Sequence, residues 1–269
     1  MLDLVRPPSA ARATLNYAAN AEDGGVFSNL TPGRTDQSRR AVTVDIQDAR
    51  AFSTPPSLAR EGFELHRLPI AGADWKNPAW VESAYTPKVL DLVQALTGAP
   101  RVATSQKTVL LRDTGDADAV PAADFVHLDF TRASARPFSD KLLDAADRAR
   151  FGRVQIFNVW RAITPPPQDV PLALCDQRTV DDDALVEGRA IEPNYPEGVP
   201  YLIALPSPRH RWSWVPDLDL DELIVFKGYD SDPGAPMGCL HTAFMPEAAP
   251  AGAIPRASVE LRVFAFFEG

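Results

Sequence analysis

Residues 154–163 read VQIFNVWRAI, a run of β-branched and aromatic side chains with no glycine or proline inside it. Such residues suit a pleated, half-buried surface, so the run predicts a strand. The same signature returns on both sides of it. Residues 102–111, 125–130, 171–174, 201–205, 210–215, 223–226, 241–244 and 258–267 each read as a short strand bounded by turn formers. Prolines, 26 in all, are spread along the chain. They end helices and sit in turns, which favours many short elements over a helix bundle. A mainly β (α+β) fold with a barrel or sandwich core is expected.

Before residue 100 the pattern is different. Across residues 77–96, Trp80, Ala84, Val89, Leu92, Val93 and Leu96 fall near helical spacing. Asn77-Pro78 suits the helix start and Gly98 the stop. A second helix is predicted over residues 139–150. Residues 14–17 and 41–46 are strand-like, and residues 29–40 form a polar, turn-rich stretch expected to be a mobile loop. The expected organisation is one domain over residues 1–269. An N-terminal arm and helix occupy 1–100, and the β core 101–269.

Composition narrows the function classes. The formal net charge of -9 argues against nucleic acid and against an anionic membrane surface as partners. No apolar run approaches the roughly 20 residues that span a bilayer, and residues 1–12 lack an apolar signal core. A cytoplasmic protein is expected, either monomer or homodimer. Cys175 and Cys239 then read as two reduced thiols.

The chemistry concentrates in Val126-His127-Leu128-Asp129. On a strand, residues two apart face the same side, so His127 and Asp129 project together while Leu128 points away. Far downstream, His241 sits in the short apolar run Cys239-Leu240-His241-Thr242-Ala243-Phe244. Two histidines and one carboxylate on one face make the triad that binds non-haem Fe(II) and leaves positions open. Arg256-Ala257-Ser258 supplies a third element. Arg and Ser again share a face, and a guanidinium with a hydroxyl can grip one carboxylate. A surface salt bridge to Glu260 or Glu268 is the plain alternative for Arg256. Asn158 and Arg161 flank Trp160, and His210 lies in Arg209-His210-Arg211-Trp212; these three are candidate substrate contacts. Strand parity puts Asn158 and Trp160 on one face and Arg161 on the other. His210 reads more readily as a structural residue packed against the tryptophans. The run Asp181-Asp182-Asp183 reads as a solvated loop or helix start, and His66, near Glu64, as a surface residue.

The order HxD, distant His, RxS resembles the Fe(II)- and 2-oxoglutarate-dependent oxygenases with a double-stranded β-helix (jelly-roll, cupin-like) core. Longer segments narrow this. Asn158-Val159-Trp160-Arg161, Pro171 to Asp176 (PLALCD), Phe226 to Ser231 (FKGYDS) and Pro255 to Arg262 (PRASVELR) occur in that order. Together they look like the family holding the gibberellin desaturase, a fungal meroterpenoid endoperoxide-forming oxygenase and the cephamycin methoxylase small subunit. The resemblance covers the chain from about Tyr17 onward. It implies His127, Asp129 and His241 as iron ligands, Arg256 and Ser258 as the grip on 2-oxoglutarate, and dioxygen as the third reactant. Gln106 stands where this family carries a His, so a role tied to that His has no residue here.

Hydroxylation, desaturation or another oxidation of a small-molecule C–H bond is the implied reaction. Asp129 disfavours halogenation, which needs its position vacated for halide. Two other classes compete: a catalytically silent barrel that binds a small molecule or supports a partner enzyme, and a zinc hydrolase on the same ligands. The second leaves the Arg-Ser pair unexplained and shows no general base.

Overall fold

The computed structural model describes residues 10–28, 36–116, 120–192 and 195–269. Two facing sheets dominate it. The larger has nine strands in the order Ala10–Ala18, Arg39–Asp48, Trp212–Trp214, Leu172–Cys175, His241–Ala243, His127–Leu128, Tyr195–Ala204, Leu185–Glu192 and Val26–Ser28. The smaller runs Phe63–Arg67, Glu222–Asp230, Phe151–Ala162, Ala257–Glu268, with Arg101–Ala103 and Leu110–Asp113 both paired to the last of these. Neighbours in space are mostly distant in sequence. This is the double-stranded β-helix, with helices confined to its flanks.

Side-chain alternation sorts the core. On Ala257–Glu268, Val259, Leu261, Val263 and Ala265 point outward and meet Val159 and Phe157 of the neighbouring strand. They pack under the helical run Pro78–Trp80, Val81–Tyr85 and Thr86–Thr97, through Val89 and Val93. Burying each such aliphatic side chain contributes about 1.5–3 kcal/mol. The run starts and stops where the sequence indicates. Asn77 accepts the backbone N–H groups of Ala79 and Trp80, and Gly98 ends the helix at φ 64°, donating to Gln94. Inside, Phe63, Trp160, Ile224 and Phe226 of the small sheet meet Leu172 and Leu174 of the large one.

Three expectations are corrected. Residues 102–111 are not one strand: Arg101–Ala103 and Leu110–Asp113 are separated by a loop. The helix placed at 139–150 is two helices, Arg132–Asp140 and Ala145–Arg150. Thr131 and Ser134 form a capping box on the first, and Asp144 caps the second, so each has its own start signal. The strands Phe63–Arg67 and Leu185–Glu192 were not anticipated. Of the loop expected at 29–40, residues 29–35 lie outside the described residues, and Arg39 and Arg40 already lie in a strand. Among the described residues no helix is long and apolar enough to cross a membrane.

Candidate metal centre

His127 and His241 are direct cross-strand partners in the large sheet. Their rings lie side by side, 4.3 Å between centroids, facing the small sheet. Val126 and Leu128 alternate to the opposite face and pack with Tyr17 and Trp212. Asp129, just past the strand, closes the group, and its side chain is 10% exposed. Its carboxylate oxygens lie 3.9 Å from His127 Nε2 and 3.8 Å from His241 Nε2. One candidate ligand atom from each residue lies within 4.8 Å of the others.

Hydrogen bonding fixes how the imidazoles point. His127 Nδ1 is 2.7 Å from the Phe125 carbonyl, and His241 Nδ1 is 3.2 Å from the Cys239 carbonyl. A carbonyl only accepts, so each Nδ1 carries the proton and each Nε2 turns a lone pair toward Asp129. Burial, then the neighbouring His241, draws the pKa of His127 down to about 3; burial lowers His241 too. Both rings therefore stay neutral at pH 7, as metal ligation requires. Burial would push the Asp129 carboxyl up, but Arg262 first and then the two histidines outweigh it and hold it below the ordinary carboxylate range. Two neutral imidazole nitrogens and one ionised carboxylate oxygen converging on one point fit a divalent Fe, Co or Zn ion.

The small sheet contributes no triad member but grips Asp129. Arg262 donates to Oδ1 at 2.7 Å and Asn158 to Oδ2 at 2.6 Å. These two are themselves cross-strand partners. Gly228 leaves room for this grip, because a Cβ there would stand 2.5 Å from Asn158 Oδ1. Glu260 accepts from the same Arg262 at 3.1 Å.

Beside the triad lies a small cavity lined by Arg256, Trp160, Leu172 and Ala243 as well as the three triad residues. Arg256 is 2% exposed and stacks over Trp160 at 5.4 Å. Its Nε has no hydrogen-bond partner among the described residues. Burial, then the charge of Arg112, draws its pKa down to about 10. A buried cation with an unsatisfied donor beside a cavity suits a bound carboxylate. The acids weighed as its partners are engaged elsewhere: Glu260 with Arg262, and Glu268 with Arg150. Ser258 is buried on the same face of the strand but is not among the residues lining this cavity. A larger cavity of about 500 Å³ opens on the other side of His127 and Asp129.

The chain is 30% identical over 279 residues to the Fe(II)/2-oxoglutarate-dependent dioxygenase nvfI of Aspergillus novofumigatus, covering 97% of this chain and 94% of that one. A family model described as "YDMC: Oxidoreductase/YMDC permease-like domain" matches residues 9–266. The chain belongs to this family of Fe(II)/2-oxoglutarate-dependent dioxygenases. The hydroxylase/desaturase efuI of Hormonema carpetanum is 29% identical over 302 residues, 100% of this chain and 98% of that one. A solved structure of the iron and alpha-ketoglutarate-dependent endoperoxidase NvfI superposes with a TM-score of 0.82 at 23% identity, covering 98% of this dioxygenase and all of that chain; it speaks for the fold.

None of the three candidate substrate contacts is among the residues that line the two cavities. Asn158 is fully buried and spends its amide on Asp129. Arg161 points to the outer face, where it donates to the carbonyls of Leu68 and Leu220 and stacks over Trp75. His210 lies behind the large sheet, stacked on Tyr17 at 5.7 Å with Trp212 edge-on. Strand parity had already set Arg161 apart; a contact between sheets leaves no such trace for Asn158.

Several residues of the site were missed. Phe125, two before His127, lies against its ring at 4.7 Å, and the i, i+2 rule points to it. Arg112 lines both cavities and lies opposite Ser258. Ser105, Gln106, Lys107 and Thr108 belong to the loop that interrupts the anticipated strand, and they line the larger cavity. Gln106 accepts the backbone N–H of Arg262 at 2.6 Å.

Proposed function

We propose that this chain is a single-domain enzyme that uses Fe(II), 2-oxoglutarate and dioxygen to hydroxylate, desaturate or otherwise oxidise a C–H bond of a small-molecule metabolite.

 The substrate class is a secondary metabolite. In this reading His127, Asp129 and His241 hold the iron through Nε2, a carboxylate oxygen and Nε2, and Arg256 grips the far carboxylate of 2-oxoglutarate, with Ser258 beside it. The observation that carries the reading is the convergence of three candidate ligand atoms within 4.8 Å, next to a buried arginine whose Nε lacks a partner.

Bound Fe(II) would supply the oxidising chemistry, consuming dioxygen and converting 2-oxoglutarate to succinate and carbon dioxide. The chain's own residues do the rest. The Phe125 and Cys239 carbonyls keep both imidazoles in the ligating tautomer. Arg262 and Asn158 each hold one oxygen of Asp129 and so orient the carboxylate. Phe125, Phe226 and Trp160 pack around the centre and keep water out. Cytoplasmic residence belongs to the same reading, and the two buried free thiols, Cys175 and Cys239, suit a reducing compartment. A homodimer is kept within the proposal and is tested by sedimentation of the purified chain.

Succinate formation separates this enzyme from a silent barrel. With Fe(II), 2-oxoglutarate and air, the wild type should form succinate, and addition of a chelator should abolish it. Fe(II)-independent hydrolysis or no turnover with any of a broad panel of small metabolites would contradict the proposal.

A further inference from the structure

The larger cavity has two chemically distinct ends. Its deep end is formed by His127 and Asp129, whose side chains are 9% and 10% exposed. Its mouth is formed by Ser105, Lys107 and Thr108, all exposed. Between them the wall is aromatic: seven of the 19 lining residues are Phe or Tyr, in a chain where aromatics make up 9%. Phe27, Phe130, Phe138 and Tyr195 are among them. Flat faces of this kind recognise rigid, ring-bearing apolar bodies. A volume of about 500 Å³ is that of a drug-sized ligand pocket.

The charge of the lining opposes that of the chain. The whole chain carries -9, yet Lys107, Arg112 and Arg262 line the cavity and, among the described residues, Asp129 is its one lining acid. Both Asp129 oxygens already accept hydrogen bonds, from Arg262 and Asn158. Lys107, at the mouth, has no hydrogen bond or ion pair to the described residues, whereas Arg262 is tied to Asp129 and Glu260.

We propose that the substrate is a ring-bearing, mainly apolar small molecule with one acidic group, and that Lys107 holds this group at the cavity mouth, remote from the carbon presented to His127 and Asp129. This rests on the proposed function for the identity of the reacting end only. The acid fixes which end of the molecule enters, and the aromatic wall carries the ring system inward.

The test uses a fluorescent probe pair, 1-pyrenebutyrate and its uncharged methyl ester, titrated into metal-free full-length protein. The acid should bind about tenfold or more tighter than the ester, the expected worth of one charge-assisted hydrogen bond. Lys107→Gln, at an exposed position, should erase that preference and leave ester binding unchanged. Tyr195→Ala should weaken both probes, which locates them in this cavity. Equal binding of acid and ester, a preference that survives Lys107→Gln, or no binding of either probe would overturn the proposal. Because the titration needs no metal, a failure of the iron reading shows separately, as absent succinate with the acid preference intact.

Discussion

Arg161, on the strand Phe151–Ala162, and Arg256, one residue before the neighbouring strand Ala257–Glu268, are both almost fully buried and face opposite sides of the small sheet. Arg161 faces outward, and its two terminal nitrogens donate to the Leu68 and Leu220 carbonyls. Arg256 faces inward, over Trp160, and its Nε is left over beside a cavity. The histidines repeat the contrast. His127 and His241 anchor Nδ1 on backbone carbonyls and turn Nε2 toward a carboxylate. His210, behind the same sheet, spends Nδ1 on the Tyr17 hydroxyl. Residue type and burial are shared across the two faces. Each face also leaves buried nitrogens without a partner, Arg161 Nε and His210 Nε2 outside and Arg256 Nε inside. What differs is where the polar groups are aimed: at packed neighbours on the outer face, at a cavity and a common point on the inner one.

The sharpest way to break this comparison is to remove one inner histidine and one outer one. His241→Ala should lose most bound Fe(II) and all measurable succinate formation, whereas His210→Ala should keep the metal. Metal content after anaerobic loading checks both. The arginines come next. Arg256→Ala should weaken 2-oxoglutarate by about one to two orders of magnitude while the metal stays, since a hydrogen bond to a charged partner contributes roughly 1.5–3 kcal/mol. Lysine should recover only part of this, because it lacks the planar fork. Arg161→Ala should leave 2-oxoglutarate affinity alone and lower the melting temperature, since it strands buried carbonyls.

A further sharpening concerns the grip on Asp129. Asn158→Ala, and separately Gly228→Ala, should each cost about 10–100-fold in metal affinity, the usual consequence of losing a partner that orients a ligand. Neither changes charge, so a Co(II) titration reads orientation alone. Unchanged affinity in both would reduce Asn158 to packing.

The smallest effect is on pH. Burial lowers His210 from 6.5 to about 4. Between those values the unfolded chain binds the extra proton, so this contribution to stability is whole above about pH 6.5 and is lost as pH falls toward 4. His210→Phe should make the melting temperature less steep with pH across that window. An unaltered slope would mean that His210 binds its proton as readily in the folded chain as in the unfolded one.

Much of the inner face was legible because strand parity is a strict rule. It placed His127 with Asp129, Arg256 with Ser258, and Arg161 away from both. The helix at residues 77–96 was legible through its own caps, Asn77 and Gly98. Contacts between sheets were not. Nothing local in Asn158-Val159-Trp160 announces that the amide reaches Asp129, and nothing beside Arg262 in sequence announces that its guanidinium does so too. The loop after Ala103 stayed hidden because Thr108 to Leu111 continues a β-like composition across the break. Lys107 and the mouth of the larger cavity were lost with it.

The central claim is that the inner face holds one Fe(II) and presents it to 2-oxoglutarate. An anaerobic titration of Fe(II) followed by 2-oxoglutarate, read by visible absorption, tests it most directly. The account predicts one-to-one iron binding and a charge-transfer band that needs both components, absent in His241→Ala and present in His210→Ala. No band in the wild type, or a full band in His241→Ala, would contradict it.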